Sequence, residues 1–438
     1  MATSPAVPSP ANPQSIILEA PALEERVSPV AMWSWALYDF ANTIFSLNII
    51  STYFPQYIVR DRGLNDAVYA YPQSFALLLV ALIMPLLGAL SDRAGRRLPW
   101  LAGFTFLCIA MTVVMGFTGE LWVVIAAYIL ASIGYQTALV FYDALLPTVS
   151  TTLNWGKVSG IGVGLGYVGA LFGGAVVAFW IGSDNPDSQA AFIPTALLFL
   201  VFALPIFFFV RERGKPQPSS AAPTEKLSWR NAVTQIWRTI QDARQVPGLM
   251  RFLVANFFYS DALNTVIIAM GVYATQVIGF GSAFTVLAPA IVTAVIGSWL
   301  FGLITDRITS KQSLVISLCL WIIVLIAAIF TTDKFIFQWV IATLAGVALG
   351  STWTAARTMM VELSPPAKLG EFMGIYNLTG KFSAVLGPAL WGTILFVLDP
   401  KVHGYFSYQV GIATLLLMVI VGLAIHLTTP NIRRVKQA

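Results

Sequence analysis

The chain has 438 residues, of which 57% are hydrophobic and only 10% charged, with a mean hydropathy of +0.77; a soluble domain carries about 25% charge. At about 20 apolar residues per membrane span, twelve spans consume roughly 240 residues and leave chain for loops. These values exclude a soluble enzyme, a disordered chain and a nucleic-acid-binding protein. The net charge of +5 and pI near 9.1 do not restore the last of these, because the basic residues sort to one side of the apolar runs.

Residues 1–30 are rich in Ala, Pro and Ser, and the first basic residue is Arg26. With neither a basic start nor an apolar stretch, this segment reads as a disordered tail rather than a cleaved signal. Apolar runs follow at roughly 32–58, 71–90, 98–117, 121–146, 158–182 and 190–210. After one polar interruption they resume at about 250–278, 283–304, 312–331, 335–360, 370–398 and 405–428. Continuous runs of this length are helices, since barrel strands are about ten residues long and alternating. The sequence therefore predicts an all-α membrane protein with twelve transmembrane helices. Its two six-helix bundles cover 31–210 and 250–428, joined by a linker at 211–249 and followed by a basic tail at 429–438.

The positions of Lys and Arg give the orientation. Of the 25 basic residues, 19 fall on the side of the termini and the linker, among them Arg93, Arg96, Arg97, Arg433, Arg434 and Lys436. Only Arg60, Arg62, Lys334 and Lys401 fall on the other, and Arg357 and Lys381 lie inside runs. Both termini are expected in the cytoplasm and the chain in the inner cell membrane, as a monomer. The linker begins with Pro- and Ser-rich sequence. From Leu227 to Val246, Trp229, Val233, Ile236, Trp237 and Ile240 recur at helical spacing among Arg230, Arg238 and Arg244. This pattern predicts an amphipathic helix on the inner membrane surface, the alternative being a helix that binds a partner.

The two halves repeat each other. Asp39, Asn42 and Thr43 match Asp261, Asn264 and Thr265, 222 residues later. Gly88, Asp92 and Arg93 match Gly302, Asp306 and Arg307, 214 later. Gly160 and Gly173 match Gly374 and Gly387 at the same offset. Two parallel six-helix repeats describe the halves of a secondary transporter. The stretch Gly88-Ala89-Leu90-Ser91-Asp92-Arg93-Ala94-Gly95-Arg96-Arg97 fits G-x-x-x-D-R-x-G-R-R, the signature loop of the major facilitator superfamily, which the chain is thereby taken to resemble. Its glycines permit a tight turn and close helix approach. Its charges can hold helix ends together in one state and release them in another. Asp92, Arg96 and Asp143 are expected to form such a gate, with Asp306, Arg307 and Glu362 as the counterpart in the second half. Asp143 and Glu362 end their runs near the loop arginines.

A more specific resemblance rests on four segments. These are Trp35-Ala36-Leu37-Tyr38-Asp39-Phe40-Ala41-Asn42, Phe141-Tyr142-Asp143 through Pro147, Lys157 to Gly169, and Glu371 to Lys381 followed by Leu386-Gly387-Pro388. Together they resemble the autophagy-related vacuolar amino-acid effluxer family and its bacterial "unknown major facilitator" relatives, over about residues 33–390. Asp143 stands where that family is expected to have Asn. The resemblance implies the major facilitator fold, alternating access and a small polar solute, an amino acid first of all. It also implies that the first, fourth, seventh and tenth helices line a central cavity.

Ionisable residues inside apolar runs are functional candidates, because each is costly unless paired or wetted. Asp39 and Asp261, each with an Asn three residues on (Asn42, Asn264), are candidates for solute and proton binding; the alternative is that each merely accepts hydrogen bonds from a neighbouring helix. Arg357 could hold a solute carboxylate or neutralise either Asp. Tyr142 joins these candidates, and Lys381 is expected to form a structural ion pair. The seven glycines between Gly160 and Gly174 imply close helix packing. No cofactor or metal is expected, because Cys108, Cys319, His403 and His426 do not cluster. The chain reads as a transporter of a small solute across a lipid bilayer, with proton coupling and no enzymatic activity. The rival readings are a drug or organic-cation exporter and a transporter-like solute sensor.

Overall fold

A computed structural model describes residues 15–19, 28–65, 67–182, 187–212, 229–280, 284–398 and 404–435. Their architecture is helical. The first half contains α1 (Pro29–Phe45), α2 (Ala67–Ala94), α3 (Leu98–Phe117), α4 (Leu121–Ala144), α5 (Trp155–Ile181) and α6 (Phe192–Phe209). The second contains α7 (Leu249–Gln276), α8 (Phe284–Arg307), α9 (Ser310–Phe330), α10 (Ala342–Leu363), α11 (Leu369–Val397) and α12 (Tyr405–Leu427).

Among the described residues, eight of these helices are long and apolar enough to span a membrane, and α2 makes a ninth if its 42° bend is taken as one span. The remaining three, α1, α7 and α11, carry most of the polar residues discussed above. Past Phe45, α1 continues as π-helical turns over Ser46–Tyr53, and α10 is preceded by another over Phe337–Ile341. Such turns arise mostly at functional sites. Phe117, Trp122, Phe179, Phe330 and Phe396 stay exposed on the outside of the bundle, as contact with lipid tails requires.

Both halves pack by one scheme. In the first, α1 lies on α5 and α6, α4 on α2 and α3, and α3 on α6. In the second, α7 lies on α11 and α12, α10 on α8 and α9, and α9 on α12. The repeat in sequence is therefore a repeat in packing. The halves meet along α2 with α11 and α5 with α8. Glycine makes these seams possible: a Cβ on Gly88 would lie 2.6 Å from the Gly370 carbonyl oxygen, and one on Gly160 would lie 2.3 Å from that of Ser298. At Gly95, φ of +63° turns the chain from α2 into α3, a left-handed conformation that glycine adopts without strain.

A linker helix, Trp229–Gln245, touches α2 of one half and α11 of the other. The tail expected to be disordered is in part ordered. Ser15–Glu19 forms a strand, β1, that pairs in parallel with β2, Asn431–Val435. In the register Ile16 stands opposite Ile432, and Ile17 and Leu18 opposite Arg433 and Arg434; the β-branched isoleucines favour a strand, which the surrounding Ala/Pro composition obscured. The rest of residues 1–27 lies outside the described residues.

Candidate functional site

A polar cavity of about 400 Å³ lies between the halves. α1 lines it with Asp39, Thr43 and Ser46, α4 with Tyr135 and Leu139, and α5 with Val163, Gly166 and Tyr167. From the second half come Asn256, Ser260 and Asn264 of α7, Trp353 and Arg357 of α10, and Tyr376, Asn377 and Gly380 of α11. Helical periodicity explains the choice of residues. Positions 256, 260 and 264 form one stripe of α7, and 39, 43 and 46 form one stripe of α1.

The two repeated Asp/Asn pairs consequently divide. On α1, Asp39 lines the cavity while Asn42 is buried outside its lining; on α7, Asn264 lines it while Asp261 does not. Three residues turn an α-helix through about 300°, which leaves partners about 60° apart. One member of each pair faces the cavity and the other faces a neighbouring helix. Asp261 turns to α11, where its Oδ1 accepts a 2.7 Å hydrogen bond from the Gly387 amide. Its Oδ2 is buried without a hydrogen-bond partner. Thr43 and Thr265 each donate to the carbonyl of their own Asp, at 2.8 Å in both halves.

Arg357 joins the halves at the cavity wall. Its Nη1 lies 3.1 Å from Asp39 Oδ2 and its Nε 3.0 Å from Asp143 Oδ1. All three side chains are at most 13% exposed. Around them, Trp35 stacks on Tyr142 at 4.5 Å and Tyr38 on the other side of Tyr142 at 5.0 Å. The guanidinium sits 5.6 Å from the Trp35 ring and 5.5 Å from the Tyr142 ring, within cation–π range. Trp35 Nε1 also donates to the Tyr142 carbonyl at 3.0 Å, fixing α1 on α4. Asn377 of α11 reaches Asp143 Oδ2 at 3.5 Å. Among the described residues, one guanidinium thus contacts two buried carboxyl groups.

The expected gate of Asp92, Arg96 and Asp143 has different membership. Asp143, in the last turn of α4, is buried and pairs with Arg357 of the other half. Arg96 is exposed, and Arg97 supplies the partner of Asp92, Nη2 to Oδ1 at 2.8 Å. Glu362, likewise, takes a hydrogen bond from Ser310 Oγ at the start of α9. The side chains of Arg93 and Lys381 lie outside the described residues. Arg307 is exposed beside Asp306.

Asp92 and Asp306 do the same thing in mirror fashion. Asp92 accepts from the amides of Gly370 (3.0 Å) and Glu371 (2.9 Å) at the start of α11. Asp306 accepts from those of Gly156 (2.8 Å) and Lys157 (2.7 Å) at the start of α5. These are the second and third residues of each helix, whose amides an N-cap side chain normally satisfies. The helices' own N-cap residues, Asn154 and Lys368, make no such bond. Each half therefore supplies the N-cap of a helix in the other, with a carboxylate favoured by the helix dipole. These caps and the Arg357 cluster hold the halves together at the end carrying the α2–α3 and α8–α9 connections, called here the basic end.

Sequence reasoning missed Trp35, Trp353, Asn256, Ser260 and Tyr167 as parts of the site. The four-residue spacing of Asn256, Ser260 and Asn264 was the available signal for α7.

Compared with known proteins, residues 64–438 match the family described as "Vacuole effluxer Atg22 like". An uncharacterized MFS-type transporter, YxiO of Bacillus subtilis (strain 168), is 27% identical over 419 residues, covering 91% of this chain and 94% of its own. Autophagy-related protein 22 of Coccidioides immitis (strain RS) is 27% identical over 262 residues, covering 54% of this chain and 43% of its own. Among solved structures, the human organic anion transporter MFSD10 superposes with a TM-score of 0.69 at 16% identity, covering 91% of this chain and 98% of that one. A bacterial homologue of the iron transporter ferroportin, in an outward-facing state, gives 0.68 at 13% identity, covering 92% and 99%. At these identities the structural likeness speaks for the fold.

Proposed function

Since the chain belongs to the vacuole effluxer Atg22-like family of major facilitator transporters, we propose that its solute is a small zwitterion, an amino acid, moved by alternating access with proton coupling. One observation carries this reading: the cavity sets Arg357 beside Asp39 and surrounds them with the amides of Asn256, Asn264 and Asn377. A solute carboxylate can take the place of Asp39 on the Arg357 fork. The released Asp39 then meets the solute ammonium within the same cavity. The uncharged lining of Thr43, Ser46 and Ser260 supplies further hydrogen bonds.

The excess of Lys and Arg supports a cytoplasmic basic end and an inner-membrane location. On that orientation, a bundle fastened at its basic end is closed to the cytoplasm and faces outward. Asp39 and Asp261 are the carboxylates offered for the proton. Reconstituted protein in proteoliposomes, supplied in turn with amino acids of each class, with and without a pH gradient, tests the reading. Gradient-dependent uptake of at least one class supports it. Flux of none of them, in protein that binds and exchanges another solute, removes it.

A second reading, export of an organic cation, draws on Asp39 together with the aromatic rings of Tyr135, Tyr167, Trp353 and Tyr376 in the lining. Counterflow with organic cations separates it from the first. A solute sensor would instead show binding without flux.

A further inference from the structure

A second polar cavity, of about 440 Å³, lies away from the central one, at the basic end of the second half. Its walls are the turn from the linker helix into α7 (Arg244, then Val246 to Arg251), Lys311 at the start of α9, and the segment leaving α12 (Leu427 to Asn431). The two turns are pressed together. Gly248 has φ of +83°, and a Cβ there would fall 2.1 Å from Pro430 Cδ. The cavity is thus a shaped feature of the fold rather than a gap between loose segments.

Among the described residues, three cations line it, Arg244, Arg251 and Lys311, and no carboxylate does. Arg251 Nη1 donates to the Thr428 carbonyl at 2.8 Å. Lys311 Nζ donates to the carbonyls of Leu427 at 2.9 Å and Thr429 at 2.6 Å. Among the described residues, Arg244 makes no hydrogen bond. The nearby acids are engaged elsewhere: Asp242 with Lys368 at 2.6 Å, Glu371 with Thr239, and Glu362 with Ser310. Arg244 and Arg251 are exposed and Lys311 is half-buried, so an anion arriving from outside the protein can reach all three. A tetrahedral oxyanion suits two arginine forks and one ammonium.

The level of the site identifies the source of that anion. Arg251 and Lys311 are within the first three residues of α7 and α9, and Leu427 is the last of α12. That is the depth at which spanning helices leave the hydrocarbon and lipid phosphates lie. We propose that this cavity binds a phosphate group, supplied by the headgroup of an anionic phospholipid in the leaflet facing the basic end.

Native mass spectrometry of the full chain in neutral detergent, titrated with phosphatidylglycerol or phosphatidylcholine, tests this. Phosphatidylglycerol is expected to bind at least about tenfold more tightly, and loss of one charge-assisted bond should weaken it about tenfold. Arg244→Gln is the informative variant, since among the described residues that side chain makes no hydrogen bond; Arg251→Gln should match it and Arg251→Lys should retain binding. Inorganic phosphate at millimolar concentration forms the second arm. If it binds with the same dependence on Arg244 and Arg251, and phosphatidylglycerol adds nothing, the site stands and its ligand is a free phosphate. Equal binding of the two lipids with no phosphate binding, or binding indifferent to both arginine substitutions, overturns the proposal.

Discussion

Among the described residues, Arg357 is the cation that contacts the buried Asp39 and Asp143, whose side chains are 8% and 9% exposed, and replacing it with Gln removes that charge. A hydrogen-bonded ion pair with Asp39 at 3.1 Å and an ion contact with Asp143 at 3.0 Å are lost. Breaking a buried ion pair typically costs about 3–5 kcal/mol. Because the arginine stands on one half and both carboxylates on the other, the loss falls on the state fastened at the basic end. A change of this size moves a two-state ratio by about 10²–10⁴. Spin labels at the exposed positions Arg96 and Ile308, one on each half, report that separation once Cys319 is replaced by Ser. The Gln variant should show a longer distance population that is absent or minor beforehand. Asp143→Asn, which keeps the contact between Arg357 and Asp39, should shift it less. An unchanged distance distribution and unchanged thermal stability in folded Arg357→Gln protein would refute the reasoning.

Asp92→Ala and Asp306→Ala should each weaken closure at the basic end by about 0.5–2 kcal/mol, the range for a lost N-cap. The two sites share no partner, so the double variant should add, as the same label pair would show. Gly88→Val should force α2 away from the Gly370 carbonyl and destabilise the protein by about 1–3 kcal/mol of overpacking. Gly103→Val, at a glycine with nothing within 4 Å of a Cβ, provides the comparison in a thermal melt. Asp261→Asn should abolish pH-driven uptake while leaving solute exchange intact if that carboxyl carries the coupling proton. Equal weakening of both activities, with lower thermal stability, would mark it as a structural acceptor for Gly387.

The spans were legible because twenty consecutive apolar residues have no other stable use, and the pairing of halves because Asp39/Asp261 and Asp92/Asp306 recur in order. What the sequence could not give was azimuth. Asp39 and Asn42 look like one face at a separation of three, yet the 60° between them is enough to put the second outside the cavity. Partner choice across the interface was also hidden. Arg357 and Asp143 are 214 positions apart in the chain, and no local pattern says that the end of α4 aims its carboxylate inward while Arg96 faces out. The strand at Ser15–Glu19 escaped notice because its partner is the other end of the chain.

The exchanged caps at Asp92 and Asp306 have a consequence for how this protein can diverge. Their donors are main-chain amides at Gly156, Lys157, Gly370 and Glu371, and every amino acid except proline brings that group. Drift at positions 157 and 371 therefore leaves the fastening whole, whatever side chain arrives. The two acceptors enjoy no such freedom, since the bonds come from one short carboxylate reaching two adjacent N–H groups. Among descendants of this chain the acidic positions, and the glycines at 156 and 370 where a Cβ would meet the capping carboxylate at 2.8 Å, should stay fixed while 157 and 371 change. A proline at 157 or 371, harmless in the first turn of most helices, should be the substitution that selection removes.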